Sequence, residues 1–454
     1  MLRQLFKPID NAPLILFRIF LGFLLFAETF GAILTGWVRI VMVDVEFTFN
    51  FIGMEFLQPL PGIGMYIYFG IMSIFGLLVM VGYKYRWSLA AFTIMWAAVY
   101  FMQKSSYNNH YYLLLLICIM MLFLPANRYA SLDVKYNPSI KSLSMPQWCS
   151  TVLIVQITIV YLFAVVSKFY PSWLDGSFIK ILYERPHQPS FLQPLFYNYY
   201  FQMFITYMGI IFDLLIVPLL LWKRTRTPAF IAAIIFHLSN SAILHIGIFP
   251  FFALAFTVFF YPPERIRQIF FKRKPILDTA VEPVYHNKSI LLFFFIPHFI
   301  IQLALPLRHH FIEGDVLWTE EGHRLSWRMM LRHREGYTTY NVVDKKTNQV
   351  IHYDFFQHLS KKQKSFVSTR PDGIWQMAQR IKTMKAKEGV DVAVYANTFV
   401  GINGMGYQQL IDPKVDLAQA KWNYFKHNDW ILLPDYTTPV PEVKNAKSFS
   451  KRRK

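Results

Sequence analysis

The stretch YLFAVVSKFYPSWLDG (161–176) starts as membrane-grade apolar sequence, then places Lys168 near its end, followed by proline, tryptophan, aspartate and glycine. A lysine there has two readings. It can snorkel, with its stem on apolar surface and its amine among headgroups. Alternatively its amine is kept at the apolar boundary for chemistry, since burial can lower a lysine pKa by up to about 3–5 units and free a base. KSSYNNHYY (104–112) sets Asn108, Asn109 and His110 among tyrosines, which taken alone fits a hydrogen-bonded aromatic belt. FHLSNSAILHIG (236–247) carries His237, Ser239 and Asn240 near the middle of an apolar run. Polar groups at that depth need protein partners or a cavity, and hydrogen bonding between helices is the alternative to a site.

The elements that position these residues follow from composition. Of 454 residues, 54% are hydrophobic and only 16% charged, well below the roughly 25% of soluble domains. Runs of about 20 apolar residues span a bilayer core. Nine candidate spans are read at about 13–35, 64–83, 87–103, 111–125, 148–166, 203–222, 228–246, 247–261 and 289–306. The expected fold is an α-helical polytopic membrane bundle of about nine transmembrane helices, with a C-terminal extracytoplasmic α/β or β-rich cap. The first apolar stretch is long and lacks a small-residue cleavage site, so it reads as a retained anchor.

The net charge of +19 follows membrane topology and does not call for a nucleic acid. With the N-terminus cytoplasmic, the inner segments hold 16 Lys+Arg and the outer loops 5. Residues 1–306 then form the membrane domain and 307–440 an extracytoplasmic domain, with 441–454, ending in SKRRK, a basic disordered tail. Within 307–440, YTTYNVVDKKTNQVIHYD (337–354) reads as a hairpin, IWQMAQRIKTMKAKEG (374–389) as a helix ending on Gly389, and VDVAVYANTFV (390–400) as a strand. Cys118 and Cys149 fall at opposite ends of spans, so no disulfide framework is expected, and no Cys/His spacing suggests a metal. Asp213 is read as the one clear mid-span acid, too little for an ion-coupled transporter, and as structural. In this topology Lys168, His110 and the RHH at 308–310 reach the outer face, and Asn240 and His245 approach it. The convergence points to a pocket open to a lipid-soluble ligand and to an outer substrate.

KSSYNNHYYL, VYLFAVVSKFYPSWLDG, FHLSNSAILHIGIF and LSWRMMLRHR (325–334) resemble, in this order, the vitamin K-dependent gamma-glutamyl carboxylase family. So do LQPLPGIGMYIYFG (57–70), FLPANRYASLDV (123–134) and YQQLIDPKVDLAQAKW (407–422), and the similarity covers about residues 13–435. The resemblance implies a membrane enzyme that couples O2-dependent epoxidation of a reduced naphthoquinone, vitamin K hydroquinone or menaquinol, to gamma-carboxylation of protein glutamate with CO2, without a metal. A strongly basic alkoxide formed on the quinone removes the γ-proton. No lysine is basic enough for that, since its ordinary pKa is only about 10.4, but a neutral lysine can deprotonate the hydroquinone. By resemblance Lys168 is that base and His110 supports it.

Asn109, Trp173, His237, Asn240, Trp327, Met329 and Met330 match residues around the quinone and substrate. Arg332 and Arg334 are the nearest candidates to clamp a glutamate carboxylate. Arg332 stands where the family has a histidine, and Arg328 where it has an aspartate. The chain reads as a short homologue, lacking much of the animal enzyme's outer C-terminal region and its disulfide cysteines. The expected partners are the bilayer, a lipid-soluble quinone and a glutamate-containing protein or peptide. The alternatives are quinol epoxidation or oxidation coupled to another substrate, and a non-catalytic transporter or scaffold that kept the fold.

Overall fold

Long apolar runs leave the backbone no hydrogen-bond partners in lipid except its own, so they fold as helices. A computed structural model describes residues 2–183, 193–244, 246–278 and 288–434; His245 and the basic tail 441–454 lie outside the described residues. Among the described residues, helices stand at all nine expected positions. They are α1 (Ala12–Leu34), α2 (Gly64–Val81), α3 (Tyr85–Met102), α4 (Asn109–Leu122), α5 (Trp148–Val166), α6 (Tyr199–Leu221), α7 (Arg226–Leu244), α8 (Phe249–Phe256) and, after the short α9 (Pro263–Phe270), α10 (Ile296–Leu307).

Among the described residues, six helices are long and apolar enough to cross a bilayer: α1, α2, α5, α6, α7 and the segment Lys288–Phe311 that contains α10. Nine full spans are therefore not what length and composition support. The 14 residues of α4 rise only about 21 Å, against a hydrocarbon core of about 30 Å. The apolar segment Phe249–Phe259 is also short. Arg86 and Ser88 dilute the start of α3. The protein is an integral membrane protein of helical class with a small C-terminal sheet.

The chain divides into two compact units, residues 1–166 with 209–304, and residues 167–208 with 305–454. In the first, α1 and α2 pack backbone to backbone. A Cβ on Gly22 would lie 2.2 Å from Met80 N, and one on Gly76 2.7 Å from Phe26 N. The Thr29 and Ser73 hydroxyls bond across the same contact at 2.9 Å. Small residues and hydroxyl bonds of this kind join helices where lipid offers no hydrophobic drive. Arg18 of α1, fully buried, donates to the carbonyls of Ala126 (3.0 Å) and Ala130 (2.6 Å), so protein dipoles meet its guanidinium in place of lipid.

The second unit contains a three-stranded antiparallel sheet, β3 (Arg334–Asp344), β4 (Val392–Ile402) and β5 (Gln408–Gln409); β1 (Pro8–Asp10) and β2 (Ser144–Pro146) pair separately in the first. Helices α11 (Lys361–Thr369) and α12 (Pro371–Lys387) pack on β3 and β4. The expected helix forms, starting three residues earlier, and Gly389 follows it with φ +78. The expected hairpin is corrected in its partner. The chain does turn after Asp344, with Ile351 N donating to Val342 O at 2.8 Å and a single bridge from Val343 to Val350. But β3 pairs over its whole length with β4, from Arg334 opposite Ile402 to Asp344 opposite Val392. The long pairing wins because it satisfies the backbone edge of β4 over all eleven residues, which the short turn after Asp344 cannot do.

Candidate functional site

In the unit that contains residues 167–208, the chain leaves α5 at Val166 and cannot continue as helix through Pro171. Tyr170 is extended (φ −115, ψ 146), as a residue before proline should be. The short helix Pro171–Leu174 then swings Trp173 back, so that the Lys168 ammonium nitrogen lies 5.4 Å from its ring centroid. Lys168 is only 9% exposed and Trp173 6%. Three contacts tie this turn to the C-terminal residues. The Tyr170 hydroxyl donates to Asp315 Oδ1 at 3.4 Å, the Arg328 guanidinium lies 5.1 Å from the Tyr170 ring, and Asn403 Nδ2 donates to Ser172 Oγ at 3.0 Å. Arg328 Nη1 also meets His309 Nε2 at 3.4 Å.

The segment leading to LSWRMMLRHR has an unusual backbone. Glu320, Leu325, Trp327 and Met330 all take positive φ, between 52 and 61. Such a conformation is uncommon outside glycine and persists only where surroundings hold it. What holds it is charge. Glu320, buried, accepts a two-pronged grip from Arg332, whose Nε meets Oε1 and whose Nη2 lies 2.6 Å from Oε2. Arg332 Nη1 reaches His323 Nε2 at 2.6 Å. Arg334 Nη1 lies 3.5 Å from Glu320 Oε1 and donates to the carbonyls of Leu317 (2.6 Å) and Trp318 (2.9 Å), while its Nε donates to Thr369 O. Burial alone would raise the Glu320 carboxyl, but Arg332, His323, Arg334 and Arg370 together hold it well below the usual carboxylate range. Burial, then Arg332, pushes His323 well below the usual imidazole range.

Arg332 and Arg334 are thus brought together, but on an internal carboxylate. They are not an open clamp: a buried Glu320 needs their charge, and they need its charge. Among the described residues, Arg334 Nη2 and His323 Nδ1 are buried atoms without a hydrogen-bond partner. Trp327 is fully buried, Met329 half-buried and Met330 exposed, so the tryptophan packs inward while the thioether of Met330 faces out.

In the other unit Asn108 caps α4, its Oδ1 accepting from Tyr111 N at 2.8 Å. Asn109, buried, accepts from the Tyr107 hydroxyl at 2.7 Å. The His110 ring stacks on Phe249 (centroids 4.4 Å, 18°), and Phe249 turns its edge to His237 at 5.9 Å. His237 Nε2 lies 3.0 Å from the Tyr161 hydroxyl. A continuous line of side chains from α4, α8, α7 and α5 therefore joins His110 to Tyr161. Asn240, half-buried, follows His237 by three residues, one turn on along the same face. His110, Asn109, His237 and Asn240 belong to this unit; Lys168, Trp173 and the 327–334 residues belong to the other.

The chain matches the HTTM domain over residues 6–264 and the lumenal domain of vitamin K-dependent gamma-carboxylase over residues 287–436. It belongs to the vitamin K-dependent gamma-carboxylase family. No solved structure matches it. For a membrane carboxylase-like protein of this family, four groups were not singled out from the sequence: Phe249, Tyr161, Tyr170 and Glu320. Aromatic residues are too common in this chain for any one to stand out. Glu28 was also passed over. It is a second acid within a span, bonded at 2.6 Å by the Tyr111 hydroxyl, and its position inside α1 was the available signal. Among the described residues no three His, Cys, Asp or Glu side chains gather so as to hold a metal.

Proposed function

We propose that this protein oxidises a reduced naphthoquinone with O2 and uses that reaction to carboxylate glutamate side chains of a protein or peptide with CO2. The observation that carries the reading is Lys168, an amine buried at the end of an apolar helix and held against Trp173. A positioned lysine amine is a group of the kind that takes a proton in general-base catalysis. The quinol, when bound, supplies the oxidisable ring and the oxygen chemistry. The residues of the chain bind, orient and move a proton. Lys168 Nζ accepts the hydroquinone proton, and His110 supports the developing anion. The flat surface of His110 on Phe249, with His237 and Tyr161 behind it, is of the kind that receives an aromatic ring. Arg332 and Arg334 hold Glu320 and with it the left-handed turns of the 320–330 segment.

The 16-to-5 bias of basic residues supports a cytoplasmic N-terminus and a membrane domain of residues 1–306, with residues 307–440 outside. The test is incubation of the purified full chain with reduced vitamin K or menaquinol, labelled CO2 and a glutamate-containing peptide, following epoxide and fixed label separately. Both products together are expected. Epoxide without fixed label would favour quinol oxidation coupled to another substrate, and neither product would favour a non-catalytic scaffold.

A further inference from the structure

A second feature of the helical unit takes no part in that chemistry. A cavity of about 750 Å³ lies among α1, α7, α8 and α9, within the roughly 300–1,000 Å³ of small-molecule sites. Phe20, Phe23, Phe230, Leu254 and Phe270 make its wall apolar, yet Arg265 also stands in it. Phe23, Phe251, Ile269 and Phe270 are all about half exposed, so the groove opens sideways to hydrocarbon. At its rim two guanidiniums share one aromatic ring: Arg226 lies 5.7 Å and Arg265 5.6 Å from the Tyr261 centroid. Arg226 is fixed in place by donating Nε to Leu220 O (2.9 Å) and Nη2 to Leu221 O (3.1 Å). Helix α9, PERIRQIF, turns Ile266, Ile269 and Phe270 to the groove and carries Glu264 and Arg267 as well, the pattern of a helix lying in the membrane interface.

The cavity is separate from the line of His110, Phe249, His237 and Tyr161. Its wall comes near that line at Ile234 and Phe251, three residues before His237 and two after Phe249, but Arg226 stands eleven residues of α7, about 16 Å of helix, before His237. We propose that this groove is a binding site for an anionic phospholipid, one acyl chain lying in it and the phosphate held between Arg226 and Arg265. Charge decides the occupant. A neutral polyprenyl tail has no use for two cations at its mouth, and the choline of a zwitterionic lipid would be repelled by them. A phosphate matches the guanidinium fork.

The experiment is native mass spectrometry of the full chain in detergent micelles, titrated separately with dioleoyl phosphatidylglycerol, dioleoyl phosphatidylcholine and menaquinone-4. Phosphatidylglycerol is expected to be retained roughly thirtyfold more tightly than phosphatidylcholine, as two interfacial arginines predict. The Arg226→Gln/Arg265→Gln variant should lose that preference. Because Arg226 also caps the end of α6, Arg265→Gln alone, at an exposed position, must already reduce it by about fivefold. Equal retention of the two phospholipids by the unmodified protein would overturn the assignment. So would a preference unchanged in Arg265→Gln, or displacement of phosphatidylglycerol by menaquinone-4.

Discussion

The two units satisfy most of their buried polar groups differently, although the helical unit also keeps one buried ion pair, Lys274 on Asp10 at 2.6 Å. In the helical unit the contacts are mostly hydroxyl, imidazole and amide bonds: Thr29 with Ser73, Tyr161 with His237, Gln302 with Tyr112, His298 with Gln156. In the C-terminal unit several are ions: Arg332 and Arg334 on Glu320 and Arg324 on Asp372. The difference is one of cost. A charge in lipid-facing helices is expensive unless fully paired, whereas neutral donors and acceptors are satisfied one bond at a time. A charged knot can do what a neutral bond cannot: it can hold several left-handed residues in a loop, because removing one member strands the others.

The largest expected effect lies at Lys168, at the end of α5. Lys168→Ala and Lys168→Arg should insert and fold normally yet lose quinol oxidation and carboxylation together, by at least about 10²-fold, the lower end for general-base catalysis. Arginine snorkels as well as lysine but does not give up its proton. Activity of Lys168→Arg within a few-fold of the unmodified protein would return the residue to a headgroup anchor.

The next effect tests the charged knot. Glu320→Gln should cost about 3–5 kcal/mol of C-terminal stability, because Arg332 and Arg334 lose their counter-ion. Hydrogen exchange across residues 316–344 measures it. Adding Arg332→Met should recover part of the loss; no recovery would mean that Glu320 serves another partner. A smaller loss, about 1–2 kcal/mol in thermal unfolding, is expected for Tyr161→Phe, which removes one neutral bond from His237. A cost like that of Glu320→Gln would blur the contrast between the units.

The smallest effect is one of pH. An imidazole in the unfolded chain titrates near about 6.5, whereas buried His323, beside Arg332, titrates well below that. The unfolded chain therefore binds the proton first. The contribution of His323 is whole above about 6.5 and falls as pH drops toward its folded value, by about 1 kcal/mol between pH 7.5 and 5.5. Glu320, also depressed, keeps its contribution until far more acid pH. His323→Gln should flatten the pH dependence of exchange in 316–344; an unchanged slope would assign the acid sensitivity to another group.

What the amino-acid order determined by itself is what local physics decides. Apolar runs placed helices at nine positions, Gly389 ended a helix, and VDVAVYANTFV placed a strand at 390–400, which forms two residues later as 392–402. The distinctive residues Lys168, His110, Asn109 and His237 stood out because polar groups are rare beside such runs. The tertiary structure decided the pairings. That β3 lies along β4 depends on which distant strand can hydrogen-bond its edge over its whole length. That Trp173 folds back on Lys168 depends on a proline-started turn. That Arg332 and Arg334 turn inward depends on Glu320, a residue with nothing distinctive about its place in the sequence. Periodicity acts over a few residues and is written in the chain, whereas a charge finds its partner only when folding has removed the water that would otherwise have satisfied it.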